Sequence, residues 1–352
     1  MKYERRARAQ QSWKLGGIIM KKKALALALA ATMTFSLTAC GGGDTKGSGA
    51  DGEEKLNIGV ILKTQSSEFG QYLQAGCEAY GKDHPNINLE ITGPSSETSY
   101  DEQLNMIQTS LDSGKYDALC VIPLQSDTAA NLIKDTEIPI VAFDTSIESD
   151  KIATFVGVGN EEAAKGGAIA AVEAAKKAGW KTIECIEIAG VQGDQTNTAR
   201  MKGYKAGIEE AGGDFLEDEV RYANAVADQA VVAMEGIMST HPEGVAIICA
   251  NNDDMAMAAA KAAKNNPDYK NTIFLGFDGV QAPCEGLVSG EYKNYLSVAS
   301  KPYDMGYQAV ESAVAAIHGE ELPKFIDTGY ELLTPENAEA RLDTLKGYLG
   351  QK

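Results

Sequence analysis

The sequence predicts an α/β protein with two Rossmann-like lobes, each built on a parallel β-sheet. Short apolar runs, typical of buried parallel strands, alternate with longer amphipathic stretches, typical of the helices that connect such strands. The alternation occurs twice in succession, and the roughly 300 residues from Leu56 onward exceed what one hydrophobic core normally supports. We therefore expect two α/β units of similar size.

Apolar runs predict the strands of each unit, and the amphipathic stretches between them predict the helices. In the first unit, strands are expected at 56–62, 87–92, 118–122, 140–143 and 154–158, and helices at 68–82, 102–113 and 128–134. In the second unit, strands are expected at 182–188, 215–220, 245–249, 273–277 and 295–298, and helices at 161–178, 198–211, 227–239, 253–265 and 284–289. Asn160 and Asn252 each precede two acidic residues, so both are expected to cap a helix.

Residues 1–39 are expected to form a signal peptide rather than part of the fold. Three lysines at 21–23 precede an apolar run over 24–37 that is too short for a stable membrane anchor. Residues 1–19 are interpreted as an upstream extension, with Met20 as the better start. The stretch Leu-Thr-Ala-Cys at 37–40 resembles the bacterial lipobox, which implies that Cys40 carries a lipid. The glycine-rich residues 40–54 would then form a flexible, lipid-anchored linker.

The composition argues against several classes of function. The formal net charge is −18, and residues 1–39 hold eight of the 32 Lys and Arg residues, so the exported part is more acidic still. Such a surface repels phosphate backbones, which argues against nucleic-acid binding. The cysteines after Cys40 are widely spaced and odd in number, so we expect buried thiols rather than a disulfide framework. The three histidines are isolated from one another, and we predict neither a metal site nor a cofactor.

Polar side chains follow several of the predicted strands at the points where those strands end. Lys63 and Ser67 follow the first strand, Asp144 follows the fourth, and residues 251–254 and Asp278 follow strands of the second unit. Ligands of open parallel sheets bind beyond the carboxyl ends of the strands. These residues are therefore candidates for ligand binding.

Three segments carry a resemblance to a known family: Asn-Asp-Asp-Met-Ala at 252–256, Gly-Phe-Asp-Gly at 276–279, and the first-strand segment 59–76. In order and spacing they resemble the type I periplasmic solute-binding proteins of sugar importers, closest to the ribose-binding branch. The resemblance implies two lobes that close on one small polyol, joined by three crossings near Gly159, Ser300 and Gly329. The lobes would comprise 55–159 with 301–328, and 160–300 with 329–352.

The same resemblance implies a role for individual residues. Phe69 would stack against a sugar ring and Ser67 would bond nearby, while Asp144 and Asp278 would accept hydrogen bonds from hydroxyls. Arg200 would donate to ligand oxygens, and Asn252 would both donate and accept. Carboxylates, a guanidinium, an amide and an aromatic ring suit the hydroxyl edges and C–H faces of a sugar. The full candidate set is Lys63, Ser67, Phe69, Asp144, Thr145, Arg200, Asn252, Asp278 and Ser300.

The sequence departs from the ribose-binding pattern at several of these positions. Lys63 replaces a small polar residue, Gly70 replaces a second aromatic residue, Thr145 replaces an arginine, and another expected aromatic residue falls near Ala225. Positive charge from Lys63, Arg200 and Lys301 would suit an acidic or phosphorylated ligand. The alternative is that Lys63 pairs with Glu68, and we favour that pairing because rim lysines are usually matched or solvated.

The leading hypothesis is an exported, monomeric lipoprotein, anchored to the outer face of the cell membrane through Cys40. It would capture a sugar or polyol and deliver it to the permease of an ABC transporter. One alternative is a domain that presents its ligand to a membrane receptor or kinase. Another is a glycoside-processing enzyme with Asp144 and Asp278 as its carboxylates. No nucleophile elbow or phosphate loop supports catalysis, so the prediction is that the protein is not an enzyme.

Overall fold

Two β-sheets organise residues 55–351, the part of the chain that the computed structural model describes. The signal peptide, Cys40 and the linker at 40–54 lie outside the described residues. The strands are β1 (Leu56–Ile61), β2 (Ile87–Thr92), β3 (Ala118–Val121), β4 (Ile140–Phe143), β5 (Ile152–Gly157), β6 (Glu184–Ala189), β7 (Asp214–Phe215), β8 (Arg221–Tyr222), β9 (Ile247–Ala250), β10 (Ile273–Asp278), β11 (Tyr295–Ala299), β12 (Phe325–Asp327) and β13 (Glu331–Leu333).

The α-helices occupy the intervals that the amphipathic pattern predicts, with two more near the carboxyl terminus. They are α1 (Glu68–Asp83), α2 (Tyr100–Asp112), α3 (Ser126–Ile133), α4 (Asn160–Ala178), α5 (Gln195–Glu210), α6 (Ala227–Thr240), α7 (Asp253–Ala263), α8 (Gln281–Val288), α9 (Pro302–Ile317) and α10 (Ala338–Tyr348).

The first sheet is parallel throughout and has the order β12-β5-β4-β3-β1-β2. Its central strands β3 and β4 are buried along their whole length, as expected for strands covered by helices on both faces. Helix α9 packs against β3, β4 and β5, and α1 packs against α9. We call this sheet with α1, α2, α3 and α9 the first lobe.

The second sheet has the order β13-β11-β10-β9-β6-β7, with β8 also paired to β6. Its pairings are parallel except for β13, which runs antiparallel to β11. Helix α4 packs against this sheet and against α5, where Gly203 and Gly207 permit close contact. A Cβ atom at Gly203 would collide with the carbonyl oxygen of Glu161, and one at Gly207 with that of Lys165. We call this sheet with α4 to α8 and α10 the second lobe.

The chain passes between the two lobes three times. It leaves the first sheet after β5, returns between β11 and α9, and leaves again between β12 and β13. Each sheet is thus completed by a strand from a distant part of the chain, β12 in the first lobe and β13 in the second. The predicted fold class, α/β with two parallel-sheet lobes, is confirmed.

Two local predictions are wrong. The run at 215–220 is not one strand, because Glu217–Glu219 form a 3₁₀ turn between β7 and β8. Asn160 is not a helix cap; Gly159 holds that position, and the Asn160 side chain accepts a hydrogen bond from Arg200 instead. The cap predicted at Asn252 is confirmed, since its side chain accepts from the backbone N–H of Met255.

The cysteines of the described region behave as small core residues. Cys77, Cys120, Cys185, Cys249 and Cys284 are all buried free thiols. Burial raises the pKa of Cys77 and of Cys284 to about 12, which keeps both thiols protonated. Between residues 55 and 351, no helix combines the length and apolarity needed to cross a bilayer.

Candidate ligand-binding site

A cavity of about 70 Å³ lies between the two lobes, beyond the carboxyl ends of parallel strands from both sheets. One water molecule needs about 10–15 Å³ of this volume, so the cavity holds about five to seven waters. A molecule the size of one monosaccharide would replace them. It is lined by Lys63, Ser67, Phe69, Glu97, Asp144, Gly190, Val191, Asp194, Thr196, Asn197, Arg200, Ala225, Asn251, Asn252, Asp254 and Asp278. Seven of these residues belong to the candidate set predicted from the sequence.

The first lobe contributes residues that directly follow β1 and β4. Ser67 caps α1 by accepting a hydrogen bond from the Gly70 backbone N–H at 3.1 Å, which places Phe69 in the first turn of the helix. Asp144 follows the fully buried β4, and its backbone N–H still donates to the Val156 carbonyl. An aromatic face and a carboxylate therefore line the same wall.

Strained backbone conformations concentrate around the cavity. Four non-glycine residues in the described region have positive φ, and three of them line the cavity: Asp144 at 58°, Ala225 at 59° and Asp278 at 108°. Such conformations cost of order 1–3 kcal/mol and persist where the surrounding structure enforces them. They are also typical of ligand-binding sites, where the strain orients particular side chains.

Arg200 is the central donor on the second lobe. It lies on the buried face of α5, which repeats at helical spacing through residues 197, 200, 204 and 208. Its Nε donates to Asn160 Oδ1 at 2.9 Å, and its Nη1 donates to the Asn251 carbonyl at 2.6 Å. The guanidinium also stacks 3.6 Å from the centroid of the Phe277 ring. Arg200 is thus held rigidly at the cavity.

Asp278 forms an ion pair with this arginine. Its Oδ1 lies 3.4 Å from Arg200 Nη1, and its backbone carbonyl accepts from Arg341 Nη2 at 3.1 Å. Burial raises the pKa of Asp278 well above its ordinary value, although the charge of Arg200 opposes that rise. The pair therefore presents acceptor and donor atoms side by side at the cavity wall.

Asp253 shapes the turn that carries Asp278. Its buried carboxylate accepts from the Gly279 N–H at 2.6 Å, from the Val280 N–H at 3.1 Å and from the Tyr295 hydroxyl at 2.7 Å. A side chain at Gly276 would collide with both Asp253 and Tyr295, which explains the glycine there. Burial outweighs these bonds and raises the pKa of Asp253 to about 6.

Lys63 does not pair with Glu68, so the pairing favoured from the sequence is wrong. Its Nζ bonds Asp194 Oδ2 across the cleft at 2.5 Å and lies 4.0 Å from Asp144 Oδ2. Burial lowers the pKa of Lys63, but the carboxylates of Asp194 and Asp144 outweigh burial, and the net pKa is raised. Lys63 therefore stays charged.

Glu68 instead joins the two lobes at a different point. Its Oε1 accepts from the Tyr72 hydroxyl at 2.6 Å and from the backbone N–H of Gln281 at 2.7 Å. Gln281 is the first residue of α8, so a carboxylate of the first lobe satisfies a free N–H at a helix start of the second.

The structure places two members of the candidate set outside the lining. Thr145 is fully buried, donates to Asp144 Oδ2 at 3.0 Å and contacts the Thr196 hydroxyl at 2.8 Å. Ser300 is also buried, and its hydroxyl has no hydrogen-bond partner within residues 55–351. Thr145 thus supports Asp144 from behind, whereas Ser300 lies where the chain crosses between lobes.

Several lining residues were not identified from the sequence: Glu97, Asp194, Thr196 and Asn197. Asp194 caps α5 through a 2.8 Å bond to the Asn197 N–H, and its position after a glycine-containing turn could have indicated it. Asn251 and Asp254 belong to the run 251–254 that follows β9, which the sequence did indicate as a candidate, and both line the cavity. Glu97 lies in the irregular segment between β2 and α2, where no periodicity predicts its direction.

Burial raises the pKa of Glu97 to about 7; Lys63 opposes the rise, while Asp194, Asp144 and Asp254 add to it. The cavity therefore favours a protonated or cation-neutralised Glu97. No cluster of His, Cys, Asp and Glu residues within 55–351 has the arrangement of a metal site.

The fold and the cavity define a two-lobe binding protein, and comparison with known proteins identifies its family. Residues 58–321 match the family described as the periplasmic binding protein domain, and the chain belongs to that family. The chain is 25% identical over 319 residues to the ribose import binding protein of Bacillus subtilis, covering 89% of this chain and 99% of the relative. It is 26% identical over 273 residues to a xylitol-binding protein of Mycolicibacterium smegmatis, covering 76% and 73%.

Solved structures share the fold. A carbohydrate-transporter solute-binding protein from Agrobacterium radiobacter, in complex with D-arabinose, superposes with a TM-score of 0.76 at 22% identity, covering 84% of this chain and 99% of that one. A solute-binding protein from Bacillus halodurans with bound myo-inositol gives 0.71 at 23% identity, covering 84% and 99%. The ribose and xylitol relatives are both named as binding proteins, and the prediction of a binding protein rather than an enzyme agrees with the family.

Proposed function

We propose that the protein binds one sugar or sugar-like polyol in the cavity between its lobes and delivers it to the permease of an ABC transporter. The observation that carries this proposal is the lining of one small cavity by polar groups from both lobes. Asp144 and Ser67 from the first lobe face Arg200, Asn252 and Asp278 from the second. Relatives named for ribose and xylitol binding support the same ligand class.

Lobe closure supplies the mechanism. A ligand that contacts both lobes stabilises the closed form by its differential affinity for that form. The three crossings near Gly159, Ser300 and Gly329 act as the hinge in this proposal, with lobes of 55–159 plus 301–328 and 160–300 plus 329–352. Delivery follows when the permease favours the open form and the ligand loses half of its contacts.

The ion pairs of the cavity favour a ligand without negative charge. Lys63 is neutralised by Asp194, and Arg200 by Asp278, so neither cation is left for a carboxylate or phosphate of the ligand. Lys301, the third cation considered from the sequence, is not among the lining residues. This arrangement argues against the acidic or phosphorylated ligands that the sequence alone left open.

The proposal includes export and anchoring through a lipid on Cys40, with the protein acting as a monomer. The periplasmic binding protein family supports export, and the Leu-Thr-Ala-Cys stretch at 37–40 supports the lipid. The alternative partner is a membrane receptor or kinase that reads the closed form, because the same lobe surfaces would dock in either case.

Titration calorimetry with neutral pentoses, hexoses, inositols and linear polyols tests the binding proposal. Asp144→Asn keeps the shape and tolerates the positive φ, yet removes the charge that accepts from ligand hydroxyls. We expect affinity for the bound sugar to fall about ten- to a hundredfold, since a charge-assisted bond contributes about 1.5–3 kcal/mol.

Asp218→Asn is the matched control, because Asp218 is exposed and remote from the cavity lining. It should bind like the wild type. A protein that binds no member of the panel, or an Asp144→Asn variant with unchanged affinity, would contradict the proposed site.

A further inference from the structure

The cavity has more negative than positive groups, and its positive groups are already paired. Its two cationic side chains are Lys63, bonded to Asp194, and Arg200, which lies 3.4 Å from Asp278. Its lining contains five carboxylates: Glu97, Asp144, Asp194, Asp254 and Asp278. After the cations are assigned, negative charge remains without compensation.

Asp144 shares Lys63 with Asp194, since its Oδ2 lies 4.0 Å from Lys63 Nζ, and this leaves Glu97 and Asp254 without an ion pair. Neither forms an ion pair or a side-chain hydrogen bond with any residue between 55 and 351. The two face the cavity from opposite lobes, Glu97 from the segment between β2 and α2 and Asp254 from the first turn of α7. Because both line one cavity that a single small molecule would fill, one ligand can reach both of them.

Glu97 is half-buried, whereas Asp254 is exposed at the start of α7, and two like charges brought towards each other as the lobes meet oppose closure. With a positive group between them, the two carboxylates would favour closure instead of opposing it. A bare metal ion does not fit this role, because no group of acidic, histidine or cysteine residues in the described chain is arranged to hold one. The positive charge therefore belongs to an organic ligand.

Other polar groups of the cavity suit a ligand that also carries hydroxyls. Asn197, Arg200 and Asn251 are each more than nine-tenths buried and line the cavity. Asn197 uses its Oδ1 for the Gly190 N–H, and Asn251 uses its Nδ2 for Glu187. The Asn197 Nδ2, the Asn251 Oδ1 and the Arg200 Nη2 have no hydrogen-bond partner within residues 55–351. These three atoms are not among the fully enclosed unpartnered atoms of the described region, and their side chains line the cavity, so a ligand or water there supplies their partners.

We propose that the ligand is a monosaccharide or polyol carrying a protonated amine, which Glu97 and Asp254 bind from opposite lobes. This inference rests on the proposed function and narrows its ligand class. The hydroxyls meet Asp144, Arg200 and the two asparagines, and the ammonium group lies between the two unpaired carboxylates. The amine then contributes to closure as well as to recognition.

Calorimetry with matched ligands tests the amine directly. Glucosamine, galactosamine, mannosamine and 1-amino-1-deoxy-sorbitol are each compared with the parent hydroxyl compound, with the N-acetyl derivative where it exists, and with glucuronate and galacturonate. We expect at least one amine to bind about ten- to a hundredfold more tightly than its parent, as one or two charge-assisted bonds predict. N-acetylation should remove the gain, and the uronates should bind most weakly.

The variant Glu97→Gln/Asp254→Asn checks that the two carboxylates are responsible. In this variant we expect the amine to bind less than about threefold more tightly than its parent compound. The parent compound itself should bind the variant and the wild type with affinities that differ by less than about threefold. Glu235→Gln/Asp218→Asn, which removes two exposed carboxylates outside the cavity lining, is the charge-matched control and should keep the full preference.

The outcomes separate this inference from the proposed function. Neutral sugars that bind while every amine binds no more tightly than its parent overturn the amine proposal and leave sugar binding intact. A preference for the amine that survives in the double variant also overturns it. Failure of every compound, neutral and charged, to bind overturns the proposed function itself.

Discussion

Glu187 provides a quantitative test of the electrostatics beneath the cavity. It lies in β6, is fully buried, and receives one hydrogen bond, from Asn251 Nδ2 at 3.1 Å, while its Oε2 has no partner in the described region. Burial raises the pKa of Glu187 from 4.5 to about 8, with the Asn251 bond opposing the rise. The native state therefore holds this proton at pH 7, whereas the unfolded chain releases it.

The sign and size of the effect follow from that difference in pKa. Because the pKa of Glu187 is higher in the folded state than in the unfolded chain, its contribution to the free energy of unfolding is fully present below about pH 4.5. That contribution is lost as the pH rises to about 8. At about 1.4 kcal/mol per pH unit, the loss amounts to about 3 kcal/mol at pH 7. Glu187→Gln is neutral in both states and can still accept the bond from Asn251, so it avoids this loss.

We therefore expect Glu187→Gln to increase the free energy of unfolding by about 3 kcal/mol at pH 7, with the gain shrinking towards zero near pH 4. Urea denaturation from pH 4 to pH 8, followed by circular dichroism, measures the difference. Glu235→Gln on exposed α6 is the control and should show no such trend. The expected gain comes from the ionisation of Glu187 and must therefore grow between pH 4.5 and pH 8. A gain of the same size at both pH values would refute the reasoning.

Three further changes test other parts of the structure. Asp194→Asn keeps a good helix cap but leaves the partly buried Lys63 with only the more distant Asp144, 4.0 Å away, so scattering should show a larger radius of gyration without ligand, and adding Lys63→Met should reverse the expansion. Gly203→Ala forces α4 and α5 apart and should lower the free energy of unfolding by about 1–3 kcal/mol in urea, whereas the same change at exposed Gly236 should not. Cys40→Ser should move the protein from the detergent phase to the aqueous phase on phase partitioning; a wild-type protein that is already aqueous would contradict the lipid anchor.

The alternating pattern predicted most of the strands and helices because each buried strand is a continuous apolar run. Its failure at 215–220 has a physical reason: Glu217–Glu219 form a 3₁₀ turn that interrupts the pairing with β6. The strands β12 and β13 were not predicted, since three-residue strands at sheet edges carry almost no periodic signal.

The cavity was predictable where its residues directly follow a strand. Asp144, Asn252 and Asp278 occupy such positions, and all three line the cavity. Pairing across the cleft was not predictable, because Lys63 and Asp194 are 131 residues apart and meet only when the lobes do. Glu68 is close to Lys63 in the sequence, and for that reason the prediction favoured Glu68 as the partner of Lys63.

A contact between the lobes that lies outside the ligand cavity has a consequence for how such a protein evolves. The bond from the Gln281 backbone N–H to Glu68 affects how readily the empty molecule closes, and neither residue lines the cavity. Any compound that requires closure gains or loses from this bond by the same factor. Substitutions at this contact would change the affinity for every compound by the same factor and leave their rank order unchanged. A lineage can therefore adjust its affinity to a scarce or abundant ligand without changing which ligand it binds.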